Sequence, residues 1–165
     1  RQMWEQAIDH YRTVLRLDPN SAQAHLRLGV IYRLTGNMAV ALSELQIAAQ
    51  LDPNLADAYL ETGLIHLTAG SLDESIAAYE TGLKLQKTKT PEGYLNLGIA
   101  YYRKGQIDQA IQEHQNAIEL KPDLAEAHFN LGTLYSRKDD SARSTYHYNK
   151  AAELRAHNQS GGKTS

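Results

Sequence analysis

The sequence predicts an all-α fold, a solenoid of antiparallel helix pairs, and three observations carry that expectation. Glycines at 29, 63, 98 and 132 fall 34, 35 and 34 residues apart. Pro19 and Pro53, each inside "LDPN", are 34 apart, and Pro122 in "LKPD" follows 69 later, one period of each length. Between these markers apolar residues recur at spacings of three and four, the period of a helix with one buried face. A segment repeating at this length is one supersecondary unit, and stacked copies bury the face that a single copy leaves bare.

The elements follow in order. Residues 1–21 hold the second helix of a partial unit, with Trp4, Ile8, Tyr11 and Leu15 along one face. Four full units are expected at 22–55, 56–90, 91–124 and 125–158, with a flexible tail at 159–165. In the third, Tyr94, Leu97, Gly98, Tyr101 and Tyr102 mark one amphipathic helix, and Ile107, Ala110, Ile111, His114, Ala117, Ile118 and Leu120 mark the next. Gly36, Gly70 and Gly105 each close a first helix, and the prolines follow second helices, which they cannot continue. The unit at 56–90 departs from the pattern, with "QKTKT" in place of its closing proline and one extra residue. Small residues set the spacing between helices: Ala7, Ala41 and Ala110 keep the same rhythm as the glycines, and larger side chains in such a seam overpack it by about 1–3 kcal/mol.

Composition narrows the function. The 165 residues are 42% hydrophobic and 22% charged, with a formal charge of −2 and no cysteine. That balance provides no basic footprint for nucleic acid or an anionic membrane, and no apolar run reaches the length of a spanning helix. Neither nucleic-acid binding nor membrane insertion is expected. Without cysteine there is no disulfide framework and no thiolate nucleophile. The cytoplasm is the expected compartment, with the periplasm or another soluble compartment left open.

Seven histidines invite a metal or catalytic reading, and the repeat answers it. His25 and His128 stand where Tyr59 and Tyr94 stand, His66 where Tyr32, Tyr101 and Tyr135 stand, and His114 where Tyr79 and Tyr148 stand. These are aromatic packing slots. His10 and His147 fall on an outer-helix face, and no pair has the His-Glu-x-x-His spacing of a zinc site. The tyrosines in these slots, with Tyr11, are expected in the core; Tyr102 and Tyr146 lie outside them. The tail "QSGGKTS" ends like a phosphate-binding loop, but His157 occupies the place of that motif's first glycine, and no strand precedes it. No cofactor, metal or catalytic constellation is expected, and the chain is read as not an enzyme.

The pattern Trp-x2-Leu-Gly-x2-Tyr, then Ala-x3-Phe, then Pro, on a 34-residue period is that of the tetratricopeptide repeat, and the chain resembles that family over essentially its whole length. "YLNLGIAY" (94–101) with Ala110, His114 and Pro122 is a near-complete match, His replacing the aromatic; "YLETGLIH" (59–66) departs at Thr62 and His66. The resemblance implies a right-handed superhelix with a concave inner surface. It also implies which residues face that surface: those three before, one after and four after each glycine, with a polar residue two before. Those places hold Leu26, Val30 and Arg33; Leu60, Leu64 and Leu67; Leu95, Ile99 and Tyr102; and Phe129, Thr133 and Ser136, with Arg27, Glu61, Asn96 and Asn130 at the polar places. Leu stands where a carboxylate clamp of the chaperone-tail binders would need Lys, and Asp57, Glu92 and Glu126 line the lip.

The function expected from this surface is non-enzymatic protein binding: a groove that takes an extended or helical segment of a partner, buries its apolar side chains and scaffolds an assembly. Each buried anchor contributes roughly 1.5–3 kcal/mol before ordering costs, so two or three give about micromolar affinity. Some of Leu26, Leu60, Leu95 and Phe129 are expected to be shared with packing between inner helices. Two alternatives are a substrate-recruiting arm of a larger enzyme, such as a glycosyltransferase, and an array that assembles chiefly with itself. The last unit places Ser141, Thr145 and Ala152 on the face where internal units carry Met38, Leu42 and Ala49, Leu72, Ile76 and Leu83, or Ile107, Ile111 and Ile118; the face turns polar, as in terminal repeats, so the array is expected to end near 157. Trp4, Ile8, Tyr11 and Leu15 form an uncovered edge expected to pair with another copy.

Overall fold

The computed structural model describes residues 2–87 and 89–161. Among them are nine α-helices and no strand: α1 Gln2–Leu17, α2 Ala22–Leu34, α3 Met38–Leu51, α4 Ala56–Ala69, α5 Leu72–Leu85, α6 Pro91–Arg103, α7 Ile107–Leu120, α8 Ala125–Arg137 and α9 Ser141–Gly161. The chain forms two compact units, Arg1–Lys87 and Thr88–Ser165. In the first, α2 packs with α3 and α4 with α5, and α1 and α3 lie against the helix that follows each. In the second, α6 packs with α7, α7 with α8 and α8 with α9. Helix α9 runs through Gly161, so residues 159–161, expected as flexible tail, are helical. Residues 162–165, with the Gly-Lys-Thr of the loop-like motif, lie outside the described residues.

The seam inside each pair repeats one contact. A Cβ added at Gly29, Gly63, Gly98 or Gly132 would lie 2.7, 3.0, 2.8 or 2.8 Å from the side chain of Leu45, Tyr79, His114 or Tyr148 respectively, in each case the residue sixteen positions later. The outer helix thus drives one large side chain onto the bare backbone of the inner helix. Twelve positions after each glycine the slot is Ala41, Ser75, Ala110 or Ser144, all buried. At the two serines the hydroxyl donates to the carbonyl of Gly63 or Gly132, at 2.9 Å both times. A buried hydroxyl is tolerated there because it has a partner.

The turns have equally local causes. Gly36, Gly70 and Gly105 adopt positive φ after their helices, where a Cβ is penalised; the equivalent place in the last unit is Asp139, at φ 57. In both "LDPN" turns the aspartate side chain accepts a hydrogen bond from a backbone N–H two residues on, Asp18 from Asn20 and Asp52 from Asn54. The carbonyl of the turn proline accepts in turn from the residue six later: His25 Nε2 to Pro19, Tyr59 hydroxyl to Pro53 and His128 Nε2 to Pro122, at 3.3, 3.4 and 3.1 Å. Where "QKTKT" replaces the proline turn, Pro91 instead opens α6, at the position where a missing N–H costs no helical bond.

The histidine slots are occupied unequally. His114 is 1% exposed, the aromatic substitute its place implies. His147, expected on an outer face, is buried: its ring stacks on Tyr135 at 5.6 Å between centroids, and its Nδ1 meets that of His128 at 3.0 Å. Of the slot tyrosines, Tyr79 and Tyr135 are fully buried, whereas Tyr148 is 37% exposed, its hydroxyl donating to Thr133.

Candidate functional site

The inner helices α2 and α4 of the first unit and α6 and α8 of the second carry the residues implied to face a partner. In the first unit Val30, Leu60, Glu61 and Leu64 are half-buried and Arg27 is exposed. A cavity of about 170 Å³ is lined by Leu26, Arg27, Val30, Asp57, Leu60 and Glu61. Of its charged residues, Glu61 is paired: Arg33 Nε donates to it at 2.6 Å. Leu60 also presses its terminal carbons to 2.6 Å from where a Gly82 Cβ would stand, so it packs on α5 as well as lining the hollow.

Three of the implied residues are not on the surface. Leu26, Leu67 and Leu95 are buried. Leu26 clusters with Ala48 and Ala58, and Leu95 with Ala117 and Ala127. Both leucines use alanines 22 and 32 positions later, on their own outer helix and on the next inner helix, and these alanines leave room for the side chain to turn inward. This is the sharing anticipated from the sequence, and it is complete at these positions.

The second unit offers a larger hollow. Ile99, Tyr102 and Arg103 of α6, His114 of α7, and Glu126, Phe129, Asn130, Thr133 and Leu134 of α8 line a cavity of about 380 Å³. Ile99, Tyr102 and Asn130 are half-buried, and Phe129 is 42% exposed. Asn96 is half-buried outside this lining. His114 lies against Gly98 with its Nδ1 buried and without a hydrogen bond. Burial pulls its pKa down to about 4, so it is neutral near pH 7 and contributes a flat ring rather than a charge.

Two residues beyond the sequence reading complete this wall. The guanidinium of Arg137 lies over the Tyr102 ring at 4.9 Å and that of Arg155 over the Phe129 ring at 5.0 Å. Tyr148 meets Phe129 edge to face at 5.5 Å. Arg103 and Arg137 share the place five after the helix glycine, one beyond the last place read, so extending the pattern by one residue finds both. Among the described residues no group of three or more His, Cys, Asp or Glu side chains could hold a metal, and no helix is long and apolar enough to cross a membrane.

Family models account for this repetition directly. One model described as "TPR repeat" matches 63–105 and 100–139, and two described as "Tetratricopeptide repeat" match 2–56 and 125–158. The chain belongs to the tetratricopeptide repeat family. As such an array it is an all-α solenoid and a protein–protein interaction scaffold. A comparison of the sequence with curated proteins finds no match. Among solved structures, a crystal structure of MamA superposes with a TM-score of 0.87 at 27% identity, covering 95% of this chain and 91% of that one. A MamA fragment from Desulfovibrio magneticus RS-1 gives 0.84 at 23% identity, covering 98% and 88%. The crystal structure of YrrB, described as a TPR protein with an unusual peptide-binding site, gives 0.79 at 20% identity, covering 93% and 78%. At these last two identities the likeness is one of fold.

Proposed function

We propose that this tetratricopeptide array is a non-enzymatic binding module whose inner helices capture a peptide or helical segment of another protein. The observation that carries the reading is the wall of the second unit: Ile99, Tyr102 and the 42%-exposed Phe129 around a cavity of about 380 Å³. Apolar area left open beside a hollow marks a binding surface far more often than a solvated one. Val30, Leu60 and Leu64 play the same part in the first unit, where Arg27 and the Arg33–Glu61 pair supply polar contacts. Asn96 and Asn130 hydrogen-bond the backbone of the bound segment. The description of YrrB as having a peptide-binding site is consistent with a tetratricopeptide array taking such a ligand.

The test is a comparison of proteins retained from a lysate by the wild-type chain and by a Val30→Glu, Leu64→Glu, Ile99→Glu triple variant whose circular dichroism is unchanged. Proteins held only by the wild type support the reading; equal capture by both overturns it.

A second reading, self-assembly, rests on α1. It buries none of its residues, and Trp4 is 41% exposed beside a hollow lined by Trp4, Glu5, Ile8, Leu34 and Thr35. Ile8, Tyr11 and Leu15 are half-covered, so Trp4 would lead the contact with a second copy.

A further inference from the structure

The wall of the second unit is chemically unlike that of the first. In the first unit the Arg33 cation is neutralised by Glu61. In the second, Arg137 and Arg155 are exposed, each guanidinium sits on an aromatic ring of the cavity wall, and neither has a carboxylate within 4.0 Å among the described residues. Arg103 lines the same cavity, and Glu126 is the single acid among the lining residues. The site therefore presents the guanidinium groups of Arg137 and Arg155, each over an aromatic ring of the wall, beside an apolar hollow. At about 380 Å³ the hollow is at the small end of the roughly 300–1,000 Å³ typical of ligand pockets, so it admits one large side chain rather than a folded element.

From this charge pattern we infer that the cavity lined by Ile99, Tyr102, Phe129 and Leu134 takes one large apolar side chain of an acidic peptide segment, whose neighbouring Asp or Glu side chains pair with Arg137 and Arg155. The inference rests on the binding-module reading above and names the chemistry of the partner at this half of it. A guanidinium lying over an aromatic face keeps its N–H edges free for another partner. Those edges suit a carboxylate two-pronged, and the stacked ring holds them beside the anchor's pocket. The cost of ordering the arginines is thus met before the partner arrives. A basic or neutral segment would leave the cations unpaired and gain only the apolar contact.

The experiment is a selection on the full chain from a phage library of nine-residue peptides with Leu, Phe or Trp fixed at the centre, displayed at the coat protein's N-terminus so that no peptide C-terminus is available. The inference expects Asp and Glu to be enriched within three positions of the anchor. Synthetic amidated copies of the enriched peptides should lose about 2–5-fold in affinity for each of Arg137→Gln and Arg155→Gln, the scale of an exposed ion pair, and weaken as salt is raised. Neutral or basic flanks, no enrichment at all, or affinities unchanged by the double arginine variant would overturn it. Neutral peptides bound by the wild type and lost by Ile99→Glu would sink this inference and leave the binding groove standing. Selected peptides held equally by Ile99→Glu and Val30→Glu would sink both.

Discussion

The imidazoles of His128 on α8 and His147 on α9 meet through their Nδ1 atoms at 3.0 Å, with both side chains buried. The Pro122 carbonyl lies 3.1 Å from His128 Nε2 and can only accept, so that nitrogen carries the proton. Neutral His128 therefore accepts at Nδ1, and His147 donates its Nδ1–H. In the first unit His25, at the matching place, meets Glu44 instead at 2.6 Å.

The pair is expected to hold as an Nδ1–H···Nδ1 hydrogen bond. Nitrogen-15 spectra at pH 7.5 should find the Nε2–H tautomer at His128 and the Nδ1–H tautomer at His147. Replacing His147 with Leu strands a buried acceptor, at a cost of about 1–3 kcal/mol in thermal or chemical unfolding.

Acid should destabilise the second unit. Burial holds the pKa of His114 down to about 4, and burial, then His128, then Arg143 lower that of His147. Both folded values lie below the unfolded value near 6.5, so the fold binds fewer protons than the unfolded chain. The stability that depends on these neutral rings is fully present above pH 6.5 and is lost as pH falls, for His114 between 6.5 and 4. The full shift at His114 corresponds to about 3 kcal/mol. His114→Phe, which keeps the ring shape against Gly98, should flatten the decline of melting temperature over that window; an unchanged slope would count against the assignment.

Gly98→Ala should cost about 1–3 kcal/mol by overpacking, because its Cβ would stand 2.8 Å from the His114 ring. In a His114→Ala background the same change should cost less, and a double-mutant cycle measures the difference. Additive effects would mean that the helices part rather than the ring resisting.

Asp139→Gly is expected to stabilise. Asp139 has φ 57 at the place where Gly36, Gly70 and Gly105 adopt positive φ. Relief of the left-handed penalty, roughly 1–2 kcal/mol for a residue with a Cβ, outweighs the added entropy of the unfolded glycine, about 0.4–1 kcal/mol. A rise in the denaturation midpoint without a change of slope is the expected result.

Trp4→Glu tests the edge at α1. If the exposed indole leads contact between copies, sedimentation at high concentration should show a concentration-dependent species for the wild type that the variant lacks. A wild type that sediments as a single monomer throughout would refute self-assembly through this face.

Much of the fold was legible in the residues. The glycine period located the inner helices, and the glycines and prolines located their ends, because backbone conformation at a turn is a local property. The slot four after the outer helix's small residue was legible as aromatic at Tyr79 and His114. The serines at 75 and 144 were not recognised as members of the alanine series, since their hydroxyls fit only through the carbonyls of Gly63 and Gly132, which belong to another helix.

The sequence by itself determined the repeat, the helix pairs and the family, since each depends on spacing along one chain. Only the tertiary structure decided which apolar residues of the inner helices remain available. Leu26 and Leu95 sink among alanines contributed by other helices, while Phe129 stays open under Arg155. It also decided that His147 faces inward onto His128. The physical reason is common to both: the exposure of a side chain is set by the volume its neighbours leave, and those neighbours lie tens of residues away in the chain.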